Sequence, residues 1–145
     1  MEPITPIDIL LIEDNIGDIT LTKKTLSRSK IMNNLIVIQD GDEAVQYLKK
    51  QGQYKDAITP DVILLDLNLP KKSGQEILTE IKSQESTRYI PVVVLTTSKK
   101  EEDILRSYNL HANCYVTKPI DLTQFQGVVS AIEGFWFSIV KLPQK

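Results

Sequence analysis

Short apolar runs alternate five times with segments of helical period, and this alternation leaves few folds open to the chain. The runs are Ile7–Ile12, Leu35–Ile38, Val62–Leu67, Val92–Thr96 and Cys114–Thr117. Most are continuous rather than alternating apolar with polar, the pattern of parallel strands covered on both faces. Between them lie Ala44, Val45 and Leu48, then Ile77, Leu78 and Ile81, then Ile104, Leu105 and Tyr108, one apolar stripe for each helix. Start signals precede the stripes. Ser73-Gly74-Gln75-Glu76 and Ser98-Lys99-Lys100-Glu101 fit the Ser-x-x-Glu capping box, while Asp40 and Asp121 stand three residues before Glu43 and Gln124. A first helix, from about Ile16 to Ser29, is less regular, with Gly17 and three threonines. Residues 51–56 read as a loop, closed by Thr59-Pro60.

Strict strand–helix alternation implies right-handed crossovers and a doubly wound parallel sheet. The expected fold is α/β, a flavodoxin-like (βα)5 five-stranded parallel sheet in the order 2-1-3-4-5. Strands one and three then flank the switch point, where ligands bind beyond the carboxyl ends. At 145 residues the chain is expected to form one domain over 1–145, with 134–145 extending the last helix and no output domain. Its 41% hydrophobic and 25% charged residues suit a globular protein. A net charge of −2 argues against nucleic acid or an anionic membrane surface as partner. No apolar run approaches transmembrane length and no signal-like stretch opens the chain, so a cytoplasmic location is expected. The single cysteine, Cys114, excludes an internal disulfide and a multi-cysteine zinc site, and reads as a small core residue.

The chemistry sits at the strand ends. Asp66 is a carboxylate planted in Val62-Ile63-Leu64-Leu65-Asp66-Leu67-Asn68-Leu69-Pro70, a costly place unless something pairs with it. The sheet order sets Glu13-Asp14, after the first strand, beside it. Converging carboxylates repel unless they take up protons or a cation, and a hard divalent ion such as Mg²⁺ suits an oxygen-rich cluster. Asp14 and Asp66 are the expected direct ligands, Glu13 binds directly or through a water, and the backbone carbonyl near Asn68 can complete the set. A carboxylate can then act as nucleophile toward phosphorus. Phosphoryl transfer asks mainly for positioning and charge stabilisation, which Lys118 after the fifth strand and the Thr96 hydroxyl ending the fourth can supply.

Four stretches together, Leu11-Ile12-Glu13-Asp14-Asn15, Leu64–Pro70, Val94-Leu95-Thr96-Thr97 and Tyr115-Val116-Thr117-Lys118-Pro119, resemble the response-regulator receiver domain of two-component signalling. The resemblance implies that Asp66 accepts phosphate from a phosphohistidine on a sensor histidine kinase, that Glu13 and Asp14 form the acidic pocket, and that Lys118 contacts the phosphoryl group. It further implies that Thr96 is the switch hydroxyl, Tyr115 the aromatic switch, and Lys118–Pro119 a cis bond. A narrower resemblance is to the small phytochrome-associated response regulators of cyanobacteria and related bacteria. It rests on residues 13–18, the long loop before Pro60, residues 102–108 and residues 135–143, and implies a phytochrome as the kinase. Glu13 departs from the commoner aspartate, and His111 stands where many receivers have glycine.

Blander readings stay beside these. Asp66 and Lys118 alone could form a structural ion pair, Thr96 could be a plain β-branched strand residue, and Tyr115 could be ordinary half-buried packing. His111 reads as a surface residue. Three other functions fit less well. A pseudo-receiver serving only as a binding module is the nearest, and the intact set of acids, threonine and lysine weighs against it. A flavin-binding electron carrier would want a hydroxyl- and glycine-rich loop where Glu13-Asp14 stands. An aspartyl-phosphate phosphatase would want a second acid where Asn68 stands. In the last helix Phe125, Val128, Val129, Ile132, Trp136, Ile139 and Val140 share one stripe, but Phe135 and Phe137 flank Trp136 and cannot all share that face. Phe135, Trp136 and Phe137 are therefore expected to cover a partner, a second copy in a homodimer, with self-packing of the tail as the rival.

Overall fold

The computed structural model describes residues 6–69, 72–97, 100–101 and 114–139, with side chains as far as Ser130. Five strands, β1 (Ile7–Ile12), β2 (Asn33–Ile38), β3 (Val62–Asp66), β4 (Val92–Thr96) and β5 (Cys114–Thr117), form one parallel sheet in the order β2-β1-β3-β4-β5. This is the flavodoxin-like order 2-1-3-4-5. The helices whose bounds fall among the described residues are α1 (Ile16–Arg28), α2 (Gly41–Leu48), α3 (Gly74–Ser83) and α4 (Leu122–Ile139). Among the described residues no helix is long and apolar enough to cross a membrane.

The continuous apolar strands make sense because each strand feeds two cores, its residues alternating between them. Leu10, Ile12, Ile63, Leu65, Val92 and Val94 point to one face and pack with Ala44, Leu48, Ile77, Leu78 and Ile81 of α2 and α3. Ile9, Leu11, Val62, Leu64, Val93 and Leu95 point to the other and pack with Ile19 and Leu26 of α1 and with Phe125, Val128 and Val129 of α4. Each such side chain taken fully out of water contributes roughly 1.5–3 kcal/mol relative to exposure. Register fixes the strand ends. Ile12 pairs with Leu65 and with Ile38, Asp66 with Leu95, and Thr96 with Thr117, so the carboxyl ends of β1, β3, β4 and β5 meet along one rim.

Local sequence explains the helix starts. Asn15, Asp40 and Ser73 each accept a hydrogen bond from the backbone N–H three residues on, at Asp18, Glu43 and Glu76. The fully reciprocal capping box lies elsewhere. Gln124 N–H donates to Asp121 Oδ1 at 2.7 Å, and Asp121 N–H donates back to Gln124 Oε1 at 3.0 Å. At Ser73 the hydroxyl instead meets the Glu76 carboxylate at 3.4 Å.

Two strand boundaries and one loop differ from the sequence expectation. β2 begins at Asn33 rather than Leu35, because pairing with Ile7 and Asp8 recruits two polar residues whose side chains find partners. Asn33 Nδ2 donates to the carbonyls of Leu26 and Ile31, and Asn34 Nδ2 to Asp8 Oδ1. β3 stops at Asp66 rather than Leu67, since the Asn68 N–H folds back onto Asp66 Oδ1 at 3.2 Å. The loop over 51–56 contains a 3-10 turn, Gly52–Tyr54, with both Lys50 and Gly52 at φ 56°. The Tyr54 ring meets Tyr47 edge-on at 5.3 Å, and its hydroxyl donates to Glu43.

Ser98, His111, the body of the helix expected after Ser98, and the tail beyond Ile139 lie outside the described residues. The side chains of Phe135, Trp136 and Phe137 do so too, although their backbone belongs to α4.

Candidate functional site: an acidic cluster on the carboxyl rim

Glu13 and Asp14 follow β1 directly, Asp66 ends β3, Thr96 ends β4 and Lys118 follows β5. The strand order, not sequence proximity, gathers them: Lys118 reaches Glu13 across 105 residues of chain. Carboxylate oxygens of Glu13, Asp14 and Asp66 all lie within 4.8 Å of one another. Glu13 and Asp66 are almost wholly buried, at 1% and 2% exposure, and Thr96 is fully buried. Asp14 is half-buried and gives the cluster its opening to solvent.

Glu13 feels this crowding. Burial, a hydrogen bond with Asp66 and the Asp66 charge push its pKa up to about 7, while Lys118 and the Asn15 N–H pull the other way. A carboxyl that favours its proton in this way marks a cluster short of positive charge. Three hard oxygen donors so placed fit a divalent cation, which could replace that proton. Glu13, Asp14 and Asp66 each offer one carboxylate oxygen to such an ion.

The Lys118 ammonium supplies the cationic side. Its Nζ lies 2.9 Å from Asp18 Oδ2, 3.2 Å from Glu13 Oε1 and 3.4 Å from Asp66 Oδ1. Burial disfavours the charged amine, but the Asp18 hydrogen bond and the Asp66 and Glu13 charges outweigh it and hold the pKa above its ordinary value. The Lys118 N–H also donates to the Thr96 carbonyl at 2.7 Å, tying the lysine to the end of β4. Lys118–Pro119 is cis. The Thr96 hydroxyl donates to the Val116 carbonyl at 3.4 Å, a long bond that leaves it available to another acceptor. Tyr115 pairs with Val94 and packs, half-buried, against the core beneath α2 and α3.

Two features escape the sequence reading. Asp18 is the nearest carboxylate to Lys118, yet an acid in the first turn of a helix is commonplace and does not advertise itself. Gly74 is the second. A Cβ there would meet Leu67 Cα at 2.4 Å and the Asp66 carbonyl at 2.8 Å, so only glycine lets α3 start this close behind Asp66. The sequence shows that glycine only as part of a cap.

Residues 9–130 match the model of the response regulator receiver domain, and the chain belongs to that family. Receiver domains are signalling regulators rather than metabolic enzymes. Within the family, the chain is 48% identical over 135 residues to response regulator Rcp1 of Synechocystis, covering 93% of this chain and 92% of that one. A crystal structure of Rcp1 with Mn²⁺ bound superposes with a TM-score of 0.72 at 47% identity, over 96% of this chain and 100% of that one. The phosphorylated cyanobacterial phytochrome response regulator RcpA is similar too, with a TM-score of 0.74 and 48% identity over 97% of this chain and 100% of that one. The receiver domain of a Pseudomonas aeruginosa sensor histidine kinase, with magnesium coordinated in its active-site cleft, gives a TM-score of 0.73 at 27% identity, over 90% of this chain and 99% of that one.

Proposed function

We propose that the chain is a phosphorylation switch in which Asp66 takes a phosphoryl group from a phosphohistidine of a sensor histidine kinase, and that this kinase is a phytochrome. One Asp66 oxygen attacks phosphorus. The P–N bond breaks with its electron pair returning to the imidazole nitrogen, which takes up a proton. Hydrolysis of the resulting acyl phosphate by water restores Asp66. Mg²⁺, held by Asp14 and Asp66 with Glu13 and the Asn68 backbone carbonyl as further oxygens, would neutralise charge on the phosphoryl oxygens when bound.

The residues divide the remaining work. Lys118, whose ammonium already lies 3.4 Å from Asp66, offers it to a phosphoryl oxygen. Thr96 gives up its long bond to Val116 and donates to another phosphoryl oxygen. The added charge, about −1.5 to −2, then biases the β4–β5 surface, where Tyr115 is the side chain that responds. The phytochrome assignment draws on similarity to RcpA, whose name states its association. The observation that carries the proposal is the Lys118 ammonium 3.4 Å from a buried Asp66 that shares its site with two further carboxylates.

Incubation of the full chain with Mg²⁺ and acetyl phosphate, followed by intact mass, tests this reading. The wild type should gain one phosphoryl group and Asp66→Asn none. A wild type that stays unlabelled, or a variant labelled equally, refutes the role of Asp66.

A further inference from the structure

Asp18 lies outside the acceptor chemistry just described, yet it makes the shortest contact of the Lys118 ammonium. The ammonium has three N–H bonds and three carboxylate partners, Glu13 and Asp66 from the sheet and Asp18 from α1. A lysine stem of four carbons is flexible, and two acceptors on one side do not fix its tip. The third acceptor does, because it approaches from a separate element. Asp18 is itself held, its N–H donating to the Asn15 side chain at 2.9 Å. A second contact joins the same two parts of the molecule: Thr25 Oγ1, further along α1, donates to the Ile120 carbonyl at 3.0 Å, two residues past Lys118. Helix α1 thus grips the segment carrying the lysine at two points.

We propose that Asp18 is a positioning residue, which holds the Lys118 ammonium where it meets the phosphoryl group arriving at Asp66. The idea rests on the acceptor reading above. Asp18 stands outside the cluster of Glu13, Asp14 and Asp66 and acts through Lys118. Its side chain is 30% exposed and belongs to neither core, so a substitution there leaves both untouched.

The test uses the full chain, acetyl phosphate and saturating Mg²⁺, with labelling rates read by intact mass for the wild type, Asp18→Ala, Lys118→Ala and the double variant. Asp18→Ala should slow labelling about three- to tenfold, as expected when a reacting charge loses its alignment. In the Lys118→Ala background the same change should shift the rate less than about twofold, because residues acting through one another are not additive. A parallel measurement reads the lysine directly. Acetylation of Lys118 by limiting acetic anhydride, located by peptide mass, should rise several-fold in Asp18→Ala.

An unchanged labelling rate in Asp18→Ala overturns the proposal, as does an equal slowing in both backgrounds. If Lys118→Ala takes no label, the acetylation decides: slower labelling by Asp18→Ala without greater Lys118 reactivity also overturns it. An unlabelled wild type would instead refute the acceptor reading, so the two failures are distinguishable.

Discussion

At the scale of single residues, the site works by crowding unlike groups into a small, largely buried space. Asp66 is legible in the sequence because an acid interrupting an apolar strand has no cheap explanation there. Asp18 and Gly74 are not, since each has an ordinary local job and gains its second part only through a neighbour the sheet brings to it. Gly74 allows a sharp expectation. Gly74→Ala forces a methyl against backbone atoms that cannot swing away, and should cost about 1–3 kcal/mol of stability in urea unfolding, as overpacking does. The Asp66 backbone is one of the atoms displaced, so acetyl phosphate labelling should slow in the same variant. Cation binding is also a residue-scale matter. Mg²⁺ at ten times its dissociation constant should stabilise the chain by about 1.4 kcal/mol. That raises Tm by about 3–6 °C for a domain of this size, and Asp14→Asn should abolish most of the shift.

At the scale of elements, strands buried on both faces announce themselves as unbroken apolar runs, which is why their positions follow from sequence. Their ends do not. β2 reaches back to Asn33 because a partner strand and two side-chain bonds reward it, and neither is visible locally. The 3-10 turn at Gly52–Tyr54 hides for the same reason, held by Tyr47 and Glu43 from another helix. Lys82 offers a further case, stapling α3 to the approach of β4. Its Nζ donates to the carbonyls of Arg88 at 3.0 Å and Ile90 at 2.8 Å, and burial pushes its pKa down to about 8 from 10.5. The folded chain therefore binds fewer protons than the unfolded one between those two values. Its stability contribution is complete above about pH 10.5 and is lost as pH falls through about 8. Urea unfolding at several pH values should show the gap between wild type and Lys82→Met moving in the wild type's favour by about 1–3 kcal/mol over that window.

At the scale of the whole molecule, topology makes the site. Neither Glu13 nor Lys118 says anything alone; the parallel pairing puts their strand ends on one rim, and the order β2-β1-β3-β4-β5 sets which ends are neighbours. Alternation of strands and helices implies a doubly wound parallel sheet, the family resemblance contributes its order, and the rim's composition then narrows the function. Assembly is less legible. Phe135, Trp136 and Phe137 are three consecutive aromatics in the sequence of α4, and we propose that they serve a homodimer. Truncation before Phe135 should then give a smaller species by light scattering, whereas an unchanged mass would remove the dimer. The two cores make a separate prediction. Leu78 lies in one and Phe125 in the other, at 0% and 1% exposure. Truncating either to alanine should cost about 2–5 kcal/mol. The two losses should add within about 0.5 kcal/mol in the double variant, because the sheet stands between them.

That partition has a consequence for descent. A lineage can exchange leucines for isoleucines beneath α2 and α3 without waiting for a matching change beneath α1 and α4, because neither side feels the other's volume. Each half of the interior can drift on its own clock. The rim has no such freedom, since Glu13, Asp66, Thr96 and Lys118 draw on four strands at once and no one of them can wander alone.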